Sequence, residues 1–184
     1  MNRKIVITLV PILAVLAFAG CTKKEIEEAY TKQEEYIEAI VKSLTSSNPE
    51  AAVDYLDGVV KVTVAEGEGE ALDGNGAVSF YYAGHYLNGN SLTSGNFFFT
   101  NYDVYGKSMD WEVSDSSVFT VKTVNLSEDK LVEGLRTGIV GVKGGDECYV
   151  LFSGKHGFGK HRTGPVPGNS GLAYHLWIKS VAND

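Results

Sequence analysis

The stretch Leu131-Val132-Glu133-Gly134-Leu135-Arg136-Thr137-Gly138-Ile139-Val140-Gly141-Val142-Lys143-Gly144-Gly145-Asp146-Glu147-Cys148-Tyr149-Val150-Leu151-Phe152 changes its hydrophobic period halfway along. Leu131, Val132, Leu135 and Ile139 recur at helical steps, which predicts a short helix over Asp129 to Val140. Gly134 and Gly138 on that helix predict a close approach to a sheet. Lys143-Gly144-Gly145-Asp146 reads as a tight turn, after which Cys148, Val150 and Phe152 alternate as the buried face of a strand. Moving outward, the two-residue period returns in Val60, Val62 and Val64, where Lys61 and Thr63 alternate with them as a strand with one buried face. It returns again in Val78, Phe80 and Tyr82, and in Leu172, Tyr174, Leu176 and Ile178. Four strands and one central helix predict an α+β domain, an antiparallel sheet with a short helix across it.

Upstream the period is helical. From Lys23 to Ser46, Ile26, Ala29, Tyr30, Gln33, Ile37, Ile40, Val41 and Leu44 form one stripe, with Glu and Lys opposite. Glu28–Lys32 and Glu38–Lys42 have the favourable order for i,i+4 pairs. The stripe needs a partner, either the domain itself or a second copy, which makes a homodimer through helix 23–46 one of two open readings. Ser47-Asn48-Pro49 stops this helix, and Asn48 with Pro49 predicts the start of a second short one.

Before the helix, Arg3 and Lys4 precede an apolar run from Ile5 to Gly20, with Cys21 next. This is the layout of a secretory signal. Ala19-Gly20-Cys21 also resembles the bacterial lipobox, with Phe18 where leucine is usual. The resemblance implies cleavage before Cys21 and acylation of that residue, hence lipid anchoring to the membrane at the bacterial cell envelope. An ordinary signal peptide is the alternative. The predicted organisation is a signal over 1–20, a helical stalk or linker over 21–57, and a folded domain over 58–184 that carries an aromatic insertion at 95–118.

The 184 residues hold 16 Lys and Arg against 23 Asp and Glu, a net charge of −7. With no basic tract, nucleic acid is excluded as a partner. Two cysteines rule out a disulfide scaffold, and Cys148 reads as a small buried apolar side chain. His85, His156, His161 and His175 lack metal-ligand spacing and read as surface or sheet histidines. Gly67-Glu68-Gly69 has no third glycine and no following helix, so it is not a dinucleotide loop. Covalent catalysis has no visible nucleophile.

Six motifs, in order, resemble the FKBP-type peptidyl-prolyl isomerases over about Val59 to Val181. Val64-Ala65-Glu66-Gly67-Glu68-Gly69 is similar to the entry strand and Gly-x-Gly turn. Val78-Ser79-Phe80-Tyr81-Tyr82-Ala83-Gly84 resembles Val-x-Val-His-Tyr-Thr-Gly, and Leu131 to Leu135 resembles the start of the central helix. Gly141 to Asp146 matches the Gly-Met-x-x-Gly-Glu turn. Gly157-Phe158-Gly159 stands for Ala-Tyr-Gly, and Val166 to Leu172 tracks Ile-Pro-Pro-Asn-Ala-Thr-Leu. The resemblance implies catalysis of X–Pro isomerisation in exported proteins, without metal or cofactor. Its catalytic pocket would comprise Tyr82, Val132, Leu135, Phe158 and Tyr174, with Phe99, Phe119, Leu131 and Val166 as further substrate-binding walls. The Val132 N–H would hold a substrate carbonyl.

Three departures accompany the match. Leu135 replaces a tryptophan at the pocket floor, Phe158 replaces a tyrosine, and the aspartate of a Phe-Asp pair becomes threonine. That pair aligns either with Leu92-Thr93 or with Phe99-Thr100, with Asn101 adjacent. Losing two polar groups predicts activity weaker by roughly 10- to 100-fold. A non-catalytic FKBP-like binding or chaperone module is therefore the alternative. The aromatic insertion, with Phe97, Phe98, Phe99, Tyr102, Tyr105 and Trp111, is expected on the pocket rim, against a separate local core as the other possibility.

Overall fold

A computed structural model describes residues 23–183. The expected signal segment over 1–20 and the expected lipidation site Cys21 lie outside them. Helix α1, Lys23–Ser47, is followed by strands β1 (Ala52–Leu56), β2 (Val59–Ala65), β3 (Ala77–Tyr86) and β4 (Phe97–Thr100). Then come helix α2 (Asp103–Ser108), β5 (Lys122–Asn125), helix α3 (Glu133–Ile139), β6 (Glu147–Phe152) and β7 (Leu172–Ala182). The strands form one antiparallel sheet in the order β1-β2-β6-β7-β3-β4, with β5 also pairing to β3. Among the described residues no helix is long and apolar enough to cross a membrane.

The central helix lies on the sheet as the two glycines require. A Cβ on Gly134 would fall 2.2 Å from Cγ of Phe152, and one on Gly138 would fall 2.2 Å from Cγ1 of Val150. Leu135 and Ile139 thereby join Cys148, Val150, Phe152, Leu172, Tyr174 and Leu176 in the main core. Cys148 is fully buried, and burial pushes its thiol up to about 12. The tight turn before β6 is pinned by Asp146, whose carboxylate accepts from the N–H of Lys143 at 2.8 Å and of Gly67 at 2.6 Å. Gly67 sits so close to Gly144 that a Cβ would meet its carbonyl at 2.2 Å, which gives the Gly-x-Gly motif a structural role.

Helix α3 is shorter at its start than its periodicity predicts. Asp129 accepts from the Asn125 N–H and donates its own N–H to the Asn125 carbonyl, closing a turn where the first helical turn was expected. Residues 52–56 are a strand, not the second helix. Asn48 instead closes α1, its side-chain and backbone N–H both donating to the Leu44 carbonyl at 2.9 Å. β1 joins β2 through Asp57-Gly58, both with positive φ, the two-residue turn whose twist suits a hairpin.

The opposite face of the sheet is covered as well. α1 lays Ile37, Ile40 and Val41 on Val60, Val62, Leu151 and Ala173, so this part of its stripe is buried on the protein's own sheet. β2 is consequently buried on both faces, not one. Lys61, 8% exposed, lies on the α3 side with its amine 3.3 Å from Asp54. The helix's surface charges find other partners than predicted: Glu28 pairs with Lys24, and Glu38 accepts from the Tyr55 hydroxyl.

Candidate active site

Tyr82, Tyr174, Leu131, Val132, Leu135 and Phe158 line one cleft of about 150 Å³ on the α3 side of the sheet. They come from β3, β7, the entry to α3 and the loop after β6, so the sheet's register and the helix's seat together set their spacing. Tyr82 and Tyr174 stand on neighbouring strands with ring centroids 6.1 Å apart. Leu135 and Phe80 are buried below, and Phe158, 39% exposed, stands at the mouth. Val132 is the N-cap of α3, one of the positions whose N–H the helix cannot satisfy.

Burial raises the pKa of both phenols, so each keeps its proton at neutral pH. Among the described residues neither hydroxyl has a hydrogen-bond partner, although Tyr174 is only 4% exposed. Two phenolic donors therefore face an apolar cleft with no internal acceptor. The cleft is smaller than those that hold drug-sized ligands, and it suits a single ring or side chain of a longer polypeptide.

Three other predicted walls, Phe99, Phe119 and Val166, are not among the residues that line this cleft. Phe99 packs against the Tyr82 ring at 5.5 Å, Val166 is buried in the core, and Phe119 lies edge-on to Trp111 at 6.0 Å. Gly84 pairs with Phe99 and Ala83 with Thr100, which seats Thr100 against β3. Thr100 is buried and donates to the Tyr82 carbonyl at 2.6 Å, away from the cleft. Asn101 accepts from the Tyr82 N–H at 2.6 Å and donates to the Phe80 and Thr120 carbonyls. These two side chains hold the backbone that carries Tyr82, a role that no periodicity announces. Lys122 and Lys130 at the rim were likewise not foreseen, being isolated polar residues outside any pattern.

The aromatic insertion divides between the two faces. A Cβ on Gly84 would fall 2.3 Å from the Phe98 ring, and that ring meets Tyr174 edge-on at 6.1 Å. Tyr102 and Tyr105 go to the far face, against Trp177 at 4.8 and 5.4 Å. There His85 bridges Asn96 at 2.9 Å and Tyr105 at 2.8 Å. Asn96 already accepts the Thr93 N–H on the same oxygen, so His85 donates through Nδ1 and accepts the Tyr105 hydroxyl at Nε2. His175 contacts Glu147 at 2.8 Å and stacks on Tyr149 at 3.9 Å.

A larger hollow, about 500 Å³, lies beside β1 and β2, but its cations are already paired: Lys61 with Asp54 and Lys143 with Glu66. It presents no unmatched chemistry, so the smaller aromatic cleft is the better site.

No family model and no curated protein sequence matches the chain. Solved structures do. A peptidyl-prolyl cis-trans isomerase from Pseudomonas syringae is 14% identical, with a TM-score of 0.57 over 89% of this chain and 100% of that one. FkpA from Escherichia coli is 19% identical, with a TM-score of 0.56 over 86% of this chain and 63% of that one. The N-terminal domain of FKBP42 from Arabidopsis thaliana is 16% identical, with a TM-score of 0.54 over 73% and 94%. The chain has the FKBP-like fold, an antiparallel sheet wrapped on one short helix and preceded by an N-terminal helix.

Proposed function

We propose that the chain is a peptidyl-prolyl cis-trans isomerase that assists the folding of exported proteins and is held to the bacterial cell envelope by lipid on Cys21. The observation that carries this reading is the apolar cleft on the FKBP-like sheet, lined by Tyr82, Tyr174 and Val132, the N-cap of α3. Rotating a prolyl amide removes the resonance that keeps it planar, a barrier of ~18–20 kcal/mol. The twisted amide has less charge separation than the planar one, so it loses less on leaving water. A cleft walled by apolar side chains therefore binds it better than the ground state, which is what acceleration requires. The proline ring enters over Leu135, Val132 supplies an N–H to a substrate carbonyl, and the phenols orient the flanking chain.

Leu135, Phe158 and the buried Thr100 favour a second reading, an FKBP-like binding or chaperone module without catalysis. Cis-to-trans exchange of a panel of X–Pro peptides separates the two. Isomerase activity predicts acceleration by wild type and none by a folded Tyr82→Ala, Val132→Arg double variant. Equal rates with and without wild-type protein would leave the binding module. Anchoring is checked by fractionation, where Cys21→Ser moves the protein out of the membrane fraction.

A further inference from the structure

Gln33 is a polar residue within the apolar stripe of α1, and it is only 8% exposed. Burying an amide is unfavourable unless both its ends are bonded. Here both are. Its Oε1 accepts the Gly154 N–H at 2.8 Å, and its Nε2 donates to the Asn169 carbonyl at 2.8 Å. Gly154 and Asn169 are the two ends of the segment that carries Phe158 to the mouth of the cleft.

The two ends meet with no room to spare: a Cβ on Gly154 would fall 2.2 Å from the Asn169 carbonyl oxygen and 2.7 Å from the Tyr30 ring. Tyr30, one helical turn before Gln33, donates its hydroxyl to the Asn169 side chain at 3.3 Å. Within the segment, the Asn169 N–H donates to the Gly159 carbonyl at 2.8 Å, which ties the base to the residue after Phe158. His156 contacts Glu133 at 2.8 Å, and Glu133 follows Val132 at the start of α3. Phe158 itself lies between two glycines, so its position depends on how the base of the segment is held.

We propose that Gln33 is a positioning residue for the cleft: by joining both ends of the Gly154–Asn169 segment, α1 sets the place of Phe158 and becomes part of the substrate site. The proposal deepens the isomerase reading, and one arm of its test does not depend on that reading.

The variant is Gln33→Met in the full chain, which keeps length and packing but removes both bonds. In the first arm, amide hydrogen exchange across residues 154–169 becomes faster by about tenfold, while β2 and β6 are unchanged. In the second, kcat/KM on X–Pro peptides is measured for Gln33→Met, Phe158→Ala and both together. Each single change lowers it through KM, and adding Gln33→Met to Phe158→Ala lowers it by less than about twofold. Unchanged exchange at 154–169, or fully additive losses, overturns the proposal. A wild type without isomerase activity removes the isomerase reading and leaves the exchange arm to decide for Gln33. If Gln33→Met does not fold, Tyr30→Phe replaces it, with exchange faster by about twofold expected and no change overturning the proposal.

Discussion

The two faces of the sheet are both rich in aromatic rings, yet they use them differently. On the far face, Tyr102, Tyr105, His85, His175 and Trp177 cover one another, and the Tyr105 hydroxyl is committed to His85. On the α3 face, Tyr82 and Tyr174 leave their hydroxyls without partners among the described residues, and an open cleft separates them from Phe158. Aromatic content alone thus fails to distinguish a site from a second core. What sets the α3 face apart is the facing pair Tyr82 and Tyr174, whose rings stand 6.1 Å apart over one apolar cleft. Both faces pack a core, and the aromatic cleft with its two phenols lies on the α3 face alone.

The seat of α3 on the sheet gives the largest expected effect. Gly134→Ala drives a methyl into the buried Phe152 ring, so it lowers unfolding free energy by about 3 kcal/mol in a denaturant titration. Tyr105→Phe leaves His85 Nε2 buried without its donor. It lowers stability by about 2 kcal/mol while kcat/KM on X–Pro peptides holds; a loss of activity without destabilisation would break the division between the faces.

The far face also predicts an acid limb. Burial lowers the pKa of His85 and His175, so the folded protein takes up their protons less readily than the unfolded chain, which protonates below about pH 6.5. Stability therefore falls as pH drops below that value, by up to about 1.4 kcal/mol per unit for each histidine. His85 is the cleaner probe, because Glu147 works against the shift at His175. The groups facing His85 are Tyr105 from α2, His175 from β7 and Asn96. His85→Gln should flatten part of the limb in urea titrations at pH 5 to 7; an unchanged limb would remove His85 from the account. The smallest effect belongs to the cleft: Tyr174→Phe lowers kcat/KM on X–Pro peptides by about fivefold with stability nearly unchanged, because its hydroxyl has no hydrogen-bond partner among the described residues.

Much of this division was legible in the residues. A period of two placed Cys148, Val150, Phe152, Leu172, Tyr174 and Leu176 on one face, because a pleat sends alternate side chains to opposite sides. Gly134 and Gly138 announced a close helix by their spacing. β1 is hidden in the sequence because Asn48-Pro49 resembles a helix start, and its hairpin signal is confined to Asp57-Gly58. The insertion could not be placed from sequence, since β4 sends neighbouring aromatics to both sides and each finds its partners far along the chain. Thr100 and Asn101 act through backbone groups of β3, and Gln33 through Gly154 and Asn169. Such contacts leave no periodic trace.

The most direct test of the division is to map where an X–Pro peptide touches the full chain, from amide chemical shifts during titration. The account predicts shifts at Tyr82, Val132, Leu135, Phe158 and Tyr174, with the amides of Tyr102, Tyr105 and Trp177 silent. Shifts confined to Tyr102, Tyr105 and Trp177 would contradict it and move the site to the other face of the sheet.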